Sequence, residues 1–233
     1  MALRVNRTLP SAVEVVYLLD FDRCLVDTER LFGMFVEVVT QHTSIPISEL
    51  EAADRDMKRR GDSFDTASFV RERLLELGDV IIWEKIVQEF IEKVGETDVL
   101  MLGARQLIDQ LDSHQLHYGI LTYGNPLWQD IKLRACGLSD IPTYIAPRKE
   151  KGLLIQSWLH SGVFLLPKEL TGVWAKALIL VDDKAVSFDG FPSLPSRGFW
   201  VLDDTKPILP SQQGGVPSNV ERVQNLTDVI NTI

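Results

Sequence analysis

The chain has 233 residues, of which 45% are hydrophobic and 24% are charged, a composition typical of a folded globular protein. Its 33 acidic residues outnumber the 24 Lys and Arg residues and give a net charge of −9, which disfavours a role in binding nucleic acid. No segment approaches the roughly 20 apolar residues of a membrane span, and the first ten residues do not form the apolar run of a signal peptide.

The first predicted strand ends in two carboxylates. An apolar run over Val13–Leu19 is followed directly by Asp20, and Asp22 comes two positions later. Carboxylates that are concentrated at a buried strand end need a cation or a raised pKa to coexist. The tip of this strand therefore predicts a metal site, and a turn capped by Asx side chains is the structural alternative.

A long helical segment follows the first strand. Over residues 29–96 no strand pattern appears, and apolar residues recur at helical spacing in 67–77 and 83–94. A segment of this length exceeds an ordinary crossover between parallel strands. We therefore predict that 29–96 is a helical domain inserted between two parts of a core, 1–28 and 97–233. It follows the two carboxylates in sequence, where it could cover them.

Two features of this insertion have alternative interpretations. Asp27-Thr28 at its start is interpreted as a helix N-cap. The basic residues within 55–60 form either a solvated helical face paired with nearby acids or contacts to a second anionic group of a substrate. In the second case Gly61-Asp62-Ser63 is the adjoining loop.

Beyond the insertion, strand and helix patterns alternate along the chain. Strand patterns lie at 116–121, 143–146, 177–181, 198–202 and 220–223. Helical patterns lie at 104–111, 127–136 and 226–233. This alternation predicts an α/β fold with a Rossmann-like parallel sheet, and its continuous apolar runs fit strands that are covered on both faces.

Further chemically useful side chains follow two of these strands or precede a helix. They are, in chain order, Thr122, Tyr123, Gly124, Asn125, Lys149, Lys151, Asp182 and Asp183. Because the carboxyl ends of parallel strands lie at one edge of a sheet, we expect these groups to lie near Asp20 and Asp22. Such a set suits phosphoryl transfer. A carboxylate attacks phosphorus, a second acid moves a proton, and magnesium, hydroxyl, amide and lysine groups hold the phosphoryl oxygens.

These motifs, in their order along the chain, resemble the four motifs of the haloacid dehalogenase superfamily. The resemblance covers about residues 13–190, nearly all of the predicted core. The helical insertion is similar to the small helical cap of the phosphoglucomutase-like phosphatases in that superfamily. The resemblance implies that Asp20 is the nucleophile, which forms an aspartyl-phosphate and also binds magnesium.

The resemblance also implies a role for each of the other motif residues. Asp22 would be the general acid and base, and its backbone carbonyl would bind the metal. Thr122 would bind the transferring phosphoryl group, and the motif lysine would neutralise that group and orient Asp20. Asp183 would bind magnesium directly, with Asp182 beside it, directly or through water. We assign Tyr123, Gly124 and Asn125, which follow Thr122, to substrate binding.

The chain departs from the motif pattern after the second aspartate and around the lysine. Relatives often have glycine and then a small or β-branched residue where this chain has Arg23 and Cys24. We interpret Arg23 either as a contact to a substrate anion or as a surface residue, and Cys24 as a small buried residue. Lys151 fits the motif better than Lys149 because Gly152 and an apolar run follow it, and we assign Lys149 to substrate binding.

The motifs predict a magnesium-dependent phosphatase that acts on a small phosphorylated metabolite. A phosphomutase would use the same residues, and a non-catalytic protein that uses the insertion as an interaction surface is a further alternative. Dehalogenation also occurs in the superfamily, but Asp22 and the pair Asp182 and Asp183 favour metal-dependent phosphoryl chemistry. Because the two cysteines are too few and too far apart for a disulfide framework, we expect a cytoplasmic location. The sequence indicates neither the substrate nor the oligomeric state.

Overall fold

The computed structural model describes residues 11–60, 64–203, 208 and 212–233. Within these residues the core is one sheet of eight strands. The strands are β1 Val13–Leu19, β2 His117–Tyr123, β3 Thr143–Ala146, β4 Leu159–His160, β5 Val163–Leu165, β6 Trp174–Asp182, β7 Arg197–Val201 and β8 Val220–Val223. The helices are α1 Thr28–His42, α2 Ile47–Arg59, α3 Thr66–Leu77, α4 Trp83–Gly95, α5 Ala104–Ser113, α6 Pro126–Ala135, α7 Lys151–Ser157 and α8 Leu226–Ile230. Two short 3₁₀ helices span Val80–Ile82 and Ala185–Phe188.

The parallel part of the sheet has the strand order β3-β2-β1-β6-β7-β8. The first strand lies in the middle, and its last residue, Leu19, pairs with Ile120 of β2 and with Val181 of β6. The carboxyl ends of β1, β2 and β6 therefore lie side by side. The predicted α/β fold with a Rossmann-like parallel sheet is confirmed.

Side chains of β1 alternate between the two faces of the sheet. Tyr17 and Leu19 belong to a hydrophobic cluster that includes residues of α5, α6 and α8, whereas Val16 and Leu18 belong to a second cluster that includes Ile155 of α7. Because both faces are covered, β1 has no polar residue between Val15 and Leu19.

A short antiparallel hairpin, β4 and β5, was not predicted from the sequence. It pairs with the first residues of β6, where Phe164 lies opposite Ala175. The loop between its strands is Ser161-Gly162, and both residues have positive φ angles of 51° and 86°, as two-residue hairpin loops require. Strands of two and three residues are too short to show an alternating pattern, so only this loop signalled the hairpin.

The structure extends β6 beyond the predicted segment 177–181, to Trp174–Asp182. Lys176 interrupts the apolar pattern, but it is exposed near the start of the strand and its Nζ lies 2.5 Å from Glu14 Oε1 of β1. At the other end of the chain α8 is shorter than the predicted 226–233. A capping box between Asn225 and Asp228 begins this helix, which ends at Ile230.

Helices α1 to α4 occupy the predicted insertion. Phe35 of α1 and Phe90 of α4 contact Trp128 of α6, with ring centroids 4.7 and 5.7 Å apart, so this insertion packs against a helix of the sheet layer. Asp27 caps α1, because its side chain accepts a hydrogen bond from Arg30 N at 3.0 Å, which confirms its predicted role. The division of the chain into an inserted domain and a core stays a prediction.

The basic residues near the end of α2 lie on an exposed face. Arg55 pairs with Glu51 at 3.5 Å, and Arg59 and Arg60 both pair with Asp56. These contacts fit the interpretation as a solvated helical face. The adjoining loop, 61–63, lies outside the described residues. Among the residues that the structure does describe, no helix has the length and apolar character needed to cross a membrane.

Candidate active site

The predicted motif residues meet at the carboxyl edge of the parallel strands. Asp20 continues the path of β1, since its backbone N–H donates to Val181 O at 2.8 Å. Thr122 lies near the end of β2, Asp182 ends β6 and Asp183 follows it, and Lys151 begins α7. All five are at most 2% exposed. The fold therefore buries several ionisable groups at one place, which requires compensating contacts among them.

Lys151 is one of those compensating groups. Its ammonium lies 2.5 Å from Asp20 Oδ1 and 2.6 Å from Asp182 Oδ2. Gly152 allows the start of α7 to pack closely against the backbone at Asp189, because a Cβ atom at position 152 would lie 2.5 Å from Asp189 O. Lys149 lies elsewhere, with its Nζ 5.6 Å from the centroid of the Tyr123 ring. Lys151 is therefore the lysine at the start of α7 that holds Asp20 and Asp182.

A second lysine, Lys184, lies beside the same carboxylates, and the sequence analysis did not identify it. Its Nζ is 3.3 Å from Asp183 Oδ1 and 3.8 Å from Asp20 Oδ2. Its backbone N–H donates to Asp182 Oδ1 at 2.8 Å. Its position directly after the paired acids was the available signal, because a lysine next to buried carboxylates can serve as their counter-charge.

Burial and mutual repulsion shift the pKa values of this cluster. Desolvation raises the pKa of Asp20, and the nearby Asp182 carboxylate raises it further, against the opposing effects of Lys151 and Lys184. Desolvation likewise raises the pKa of Asp183. Burial alone would lower the pKa of Lys151, but Asp182 and Asp20 raise it above its usual value. An additional positive charge close to these carboxylates would therefore stabilise their ionised form.

Two carboxylate oxygens of the cluster have no hydrogen-bond partner among the described residues. They are Asp20 Oδ2 and Asp183 Oδ1, and the Lys184 ammonium is within ion-pair distance of both. Both oxygens of Asp182 are engaged, one by Lys151 and one by the Lys184 N–H.

These acids fit a divalent cation. One oxygen from each of Asp20, Asp182 and Asp183 lies within 4.8 Å of the others. Carboxylate oxygens are the ligands that Mg²⁺ prefers. Since Asp182 is already bonded on both oxygens, Asp20 and Asp183 are the two acids best placed to hold the ion.

Asp22 lies in a separate network of donors. Thr28 Oγ1 donates to its Oδ1 at 2.9 Å, Gln129 Nε2 donates to its Oδ2 at 2.8 Å, and Lys132 forms a short ion pair with its Oδ1. Gln129 Nε2 is also 3.1 Å from Thr122 Oγ1. Burial alone would raise the pKa of Asp22, but Lys132 and Gln129 lower it to about 2. Asp22 is therefore an ionised acceptor in this conformation.

Gln129 and Lys132 were missed because polar residues of a helix are usually exposed. Both are buried in α6. The signal was the helical spacing, since Trp128, Ile131, Lys132 and Ala135 follow the pattern of one buried helix face, which places the lysine within an apolar stripe. A charged residue on such a stripe needs a buried partner, and Asp22 is that partner.

The residues after Thr122 have structural roles in this conformation. Asn125 caps α6, because its Oδ1 accepts hydrogen bonds from the backbone N–H groups of Leu127 at 2.9 Å and Trp128 at 3.4 Å. Gly124 makes room for the side chain of Gln129, since a Cβ atom would lie 2.6 Å from its Nε2. The proposed substrate contacts of Tyr123, Gly124 and Asn125 stay predictions.

Arg23 and Cys24, which depart from the motif pattern, differ in their surroundings. Arg23 has a positive φ of 65°, a conformation that glycine adopts without strain, and its guanidinium pairs with Glu29, with Nε 2.8 Å from Oε1. Cys24 is completely buried in the hydrophobic core and burial raises the pKa of its thiol. The interpretation of Cys24 as a small buried residue is confirmed.

A large cleft lies away from these carboxylates. It has a volume of about 960 Å³ and lies between the end of α4, the start of α5 and the end of α6. None of the candidate site residues lines it. Asp20 and Asp183 are almost completely buried.

The Asp22 network leads to a prediction about stability. Lys132→Met removes the ammonium and leaves a buried carboxylate without its cation, so we expect the free energy of unfolding to fall by about 3 kcal/mol. The double variant D22N/K132M should recover most of this loss because it also removes the charge. Urea unfolding at neutral pH measures both effects. Arg134→Met, which removes an exposed cation of the same helix, should change stability by less than about 0.5 kcal/mol.

The stabilisation by Lys132 should also depend on pH. The pKa of Asp22 is lowered from 3.8 to about 2, so the pair contributes its full stability above pH 3.8 and loses it as the pH falls through about 2. The difference in unfolding free energy between wild type and K132M should therefore shrink as the pH is lowered through this window. A difference that stays constant would contradict the assignment of Lys132 as the counter-charge.

Comparison with solved structures identifies the fold. A protein from Burkholderia xenovorans, described as a haloacid dehalogenase-like hydrolase, matches with 14% identity and a TM-score of 0.62, over 94% of this chain and 96% of that one. Together with the motif geometry, this match shows that the chain has the haloacid dehalogenase-like fold. Neither a protein-family model nor a curated protein matches the sequence.

Two further structures with this fold are also similar. A hydrolase from Bacillus subtilis, reported as bound to magnesium and as revealing interdomain movement, has 16% identity and a TM-score of 0.54, over 95% of this chain and 99% of that one. A protein from Thermotoga maritima, described as a beta-phosphoglucomutase, has 14% identity and a TM-score of 0.51, over 94% of this chain and 98% of that one. Dehalogenases are also among the matches. These matches show the fold, and the superfamily branch that the motifs predict stays a prediction.

Proposed function

We propose that this protein is a magnesium-dependent phosphatase that hydrolyses a small phosphomonoester through an aspartyl-phosphate on Asp20. The observation that carries the proposal is the environment of Asp20. One of its oxygens is held by Lys151, whereas the other has no hydrogen-bond partner among the described residues and shares the Lys184 ammonium with Asp183 Oδ1. A buried carboxylate held in this way is suited to act both as a nucleophile and as a metal ligand.

The residues around Asp20 have separate roles in the first step, in which the phosphoryl group is transferred to Asp20. Lys151 fixes the orientation of the Asp20 carboxylate and adds positive charge where the phosphoryl group would bind. Thr122, at the end of the neighbouring strand, offers a hydroxyl group to the phosphoryl oxygens. A magnesium ion held by Asp20 and Asp183 would neutralise the charge of acids and phosphate. Asp182 bonds Lys151 and the Lys184 N–H, so we propose that it positions Lys151.

Asp22 is placed to act in the second step, the hydrolysis of the aspartyl-phosphate. Its ionised carboxylate can take a proton from the water that hydrolyses the aspartyl-phosphate. The departing oxygen of the substrate needs a proton in the first step, so we propose that Asp22 acts in its protonated form, which Lys132 disfavours, and gives its proton to that oxygen. In the second step the carboxylate takes a proton back from water, with Gln129 linking Asp22 to Thr122.

Motion of helices α1 to α4 would admit the substrate. The carboxylates are buried, and the similar Bacillus subtilis structure is reported to reveal interdomain movement. In the phosphatase that we propose, these helices open to admit a small phosphorylated metabolite and close to limit water around the intermediate. A cytoplasmic location stays a prediction.

The proposal is tested by measuring phosphate release from a panel of phosphomonoesters that includes an aryl phosphate. We expect release that requires Mg²⁺ and stops when EDTA is added. If folded, metal-bound protein releases no phosphate from any compound, the proposal is wrong. Isomerised sugar phosphate without free phosphate would instead identify a phosphomutase, and metal-independent halide release from a 2-haloacid would identify a dehalogenase.

A further inference from the structure

The Lys184 ammonium lies beside the oxygens that best fit a metal ion. It is 3.3 Å from Asp183 Oδ1 and 3.8 Å from Asp20 Oδ2. These are the oxygens of the two acids that accept no hydrogen bond from any described residue. The ammonium and a divalent cation would therefore be attracted to the same two atoms.

The charges of the cluster explain why a lysine lies there. Asp20, Asp182 and Asp183 carry three negative charges when ionised, and each is at most 1% exposed. Lys151 supplies only one positive charge and is shared by Asp20 and Asp182. Lys151 leaves Asp183 and one oxygen of Asp20 without a neighbouring ammonium, and a buried carboxylate without a close counter-charge is unfavourable. Lys184 supplies that charge, with a smaller contribution to Asp183 from Arg23.

The two lysines differ in their freedom to leave the cluster. The side chain of Lys151 is 2% exposed, whereas that of Lys184 is 26% exposed. Lys151 donates hydrogen bonds to two carboxylates at 2.5 and 2.6 Å, whereas Lys184 Nζ lies farther from its carboxylates, at 3.3 and 3.8 Å. Lys184 can therefore withdraw toward solvent at a smaller cost than Lys151.

We propose that Lys184 is a built-in competitor of the magnesium ion: its ammonium neutralises Asp20 and Asp183 in the metal-free protein, and metal binding displaces it toward solvent. This inference rests on the proposed function, because it concerns the same metal site. Its consequence is that Lys184 lowers the affinity for the metal while it stabilises the metal-free state. The loss of affinity caused by Lys184 equals its stabilisation of the metal-free state minus its stabilisation of the metal-bound state.

The first test measures Mg²⁺ affinity by isothermal titration calorimetry. Lys184→Gln should bind Mg²⁺ about tenfold more tightly than wild type, within the range typical of coupled sites. Lys176→Gln is the matched control, because it removes an exposed lysine at the start of β6, the strand that ends in Asp182, and it should bind Mg²⁺ like wild type. Equal affinities of K184Q and wild type would overturn the inference.

The second test uses the wild-type protein, so it does not depend on the folding of a variant. Lysine acetylation by a small reagent, followed by mass spectrometry, reports the accessibility of each lysine with and without Mg²⁺. Labelling of Lys184 should rise severalfold on metal binding, while labelling of Lys151 stays low and labelling of Lys176 stays constant. Unchanged or reduced labelling of Lys184 would overturn the inference.

The two tests also separate this inference from the proposed function. If calorimetry detects Mg²⁺ binding but Lys184 labelling and K184Q affinity do not change, the competitor role is wrong and the proposed phosphatase is unaffected. If neither wild type nor K184Q binds Mg²⁺, both are wrong.

Discussion

Asp20→Asn should reduce phosphate release by at least about 10⁴-fold, the scale of loss seen when a catalytic nucleophile or its partner is removed. The amide has nearly the same shape as the carboxylate but cannot form an aspartyl-phosphate. It also removes one of the two carboxylate oxygens that have no hydrogen-bond partner among the described residues and that we assign to the metal. The measurement is the steady-state rate of phosphate release at saturating Mg²⁺, with the best substrate of the panel.

The matched control for this variant is Asp189→Asn. Asp189 is an exposed acid that follows Asp183 by six residues and lies in a turn after the 3₁₀ helix Ala185–Phe188. Its replacement should leave the rate within about twofold of wild type, since surface substitutions have small effects. D20N should remain folded, because it removes a charge whose burial is unfavourable. A D20N protein that keeps a tenth or more of the wild-type rate would contradict the nucleophile assignment.

Lys151→Met should reduce both activity and stability. Without its ammonium, Asp20 and Asp182 are left as buried like charges, and we expect the free energy of unfolding to fall by about 3–5 kcal/mol. Loss of the cation that orients the nucleophile should lower kcat by about 10²–10³-fold. Urea unfolding and steady-state kinetics at saturating Mg²⁺ measure the two effects.

Lys149→Met is the control, because Lys149 precedes the same helix and its Nζ lies 5.6 Å from the centroid of the Tyr123 ring. It should change stability by less than about 0.5 kcal/mol. If Lys149 contacts the substrate, as predicted, its loss should raise KM and leave kcat nearly unchanged. A large fall of kcat in K149M with normal kcat in K151M would reverse the assignment of the two lysines.

The local pattern of the sequence predicted the elements that place the site. The continuous apolar run of β1 and the acids directly after it define the tip of the central strand, and the same holds for β6 and Asp182. These predictions succeeded because a buried parallel strand must be apolar along its length, so a charged residue marks its end. The helix entry at Lys151 was also found, because glycine and an apolar run follow it.

The residues that were missed depend on contacts between distant parts of the chain. Lys132 and Gln129 acquire their roles only because α6 turns one face toward Asp22, 110 and 107 residues away in sequence. Asn125 shows a role that the sequence analysis did not assign, while its proposed substrate contact stays a prediction. Asn directly before Pro126 is a common helix cap, and the structure shows that its side chain is used for capping.

The central claim is that Asp20 accepts a phosphoryl group, and beryllium fluoride tests it directly because it forms a stable mimic of an aspartyl-phosphate. In the presence of Mg²⁺, ¹⁹F NMR of the wild-type protein should show bound fluoride signals, and a crystal structure should show beryllium bonded to an Asp20 oxygen. The signals should be absent from D20N and after addition of EDTA. The account is contradicted if D20N gives the same bound signals, or if wild-type protein with bound Mg²⁺ gives none.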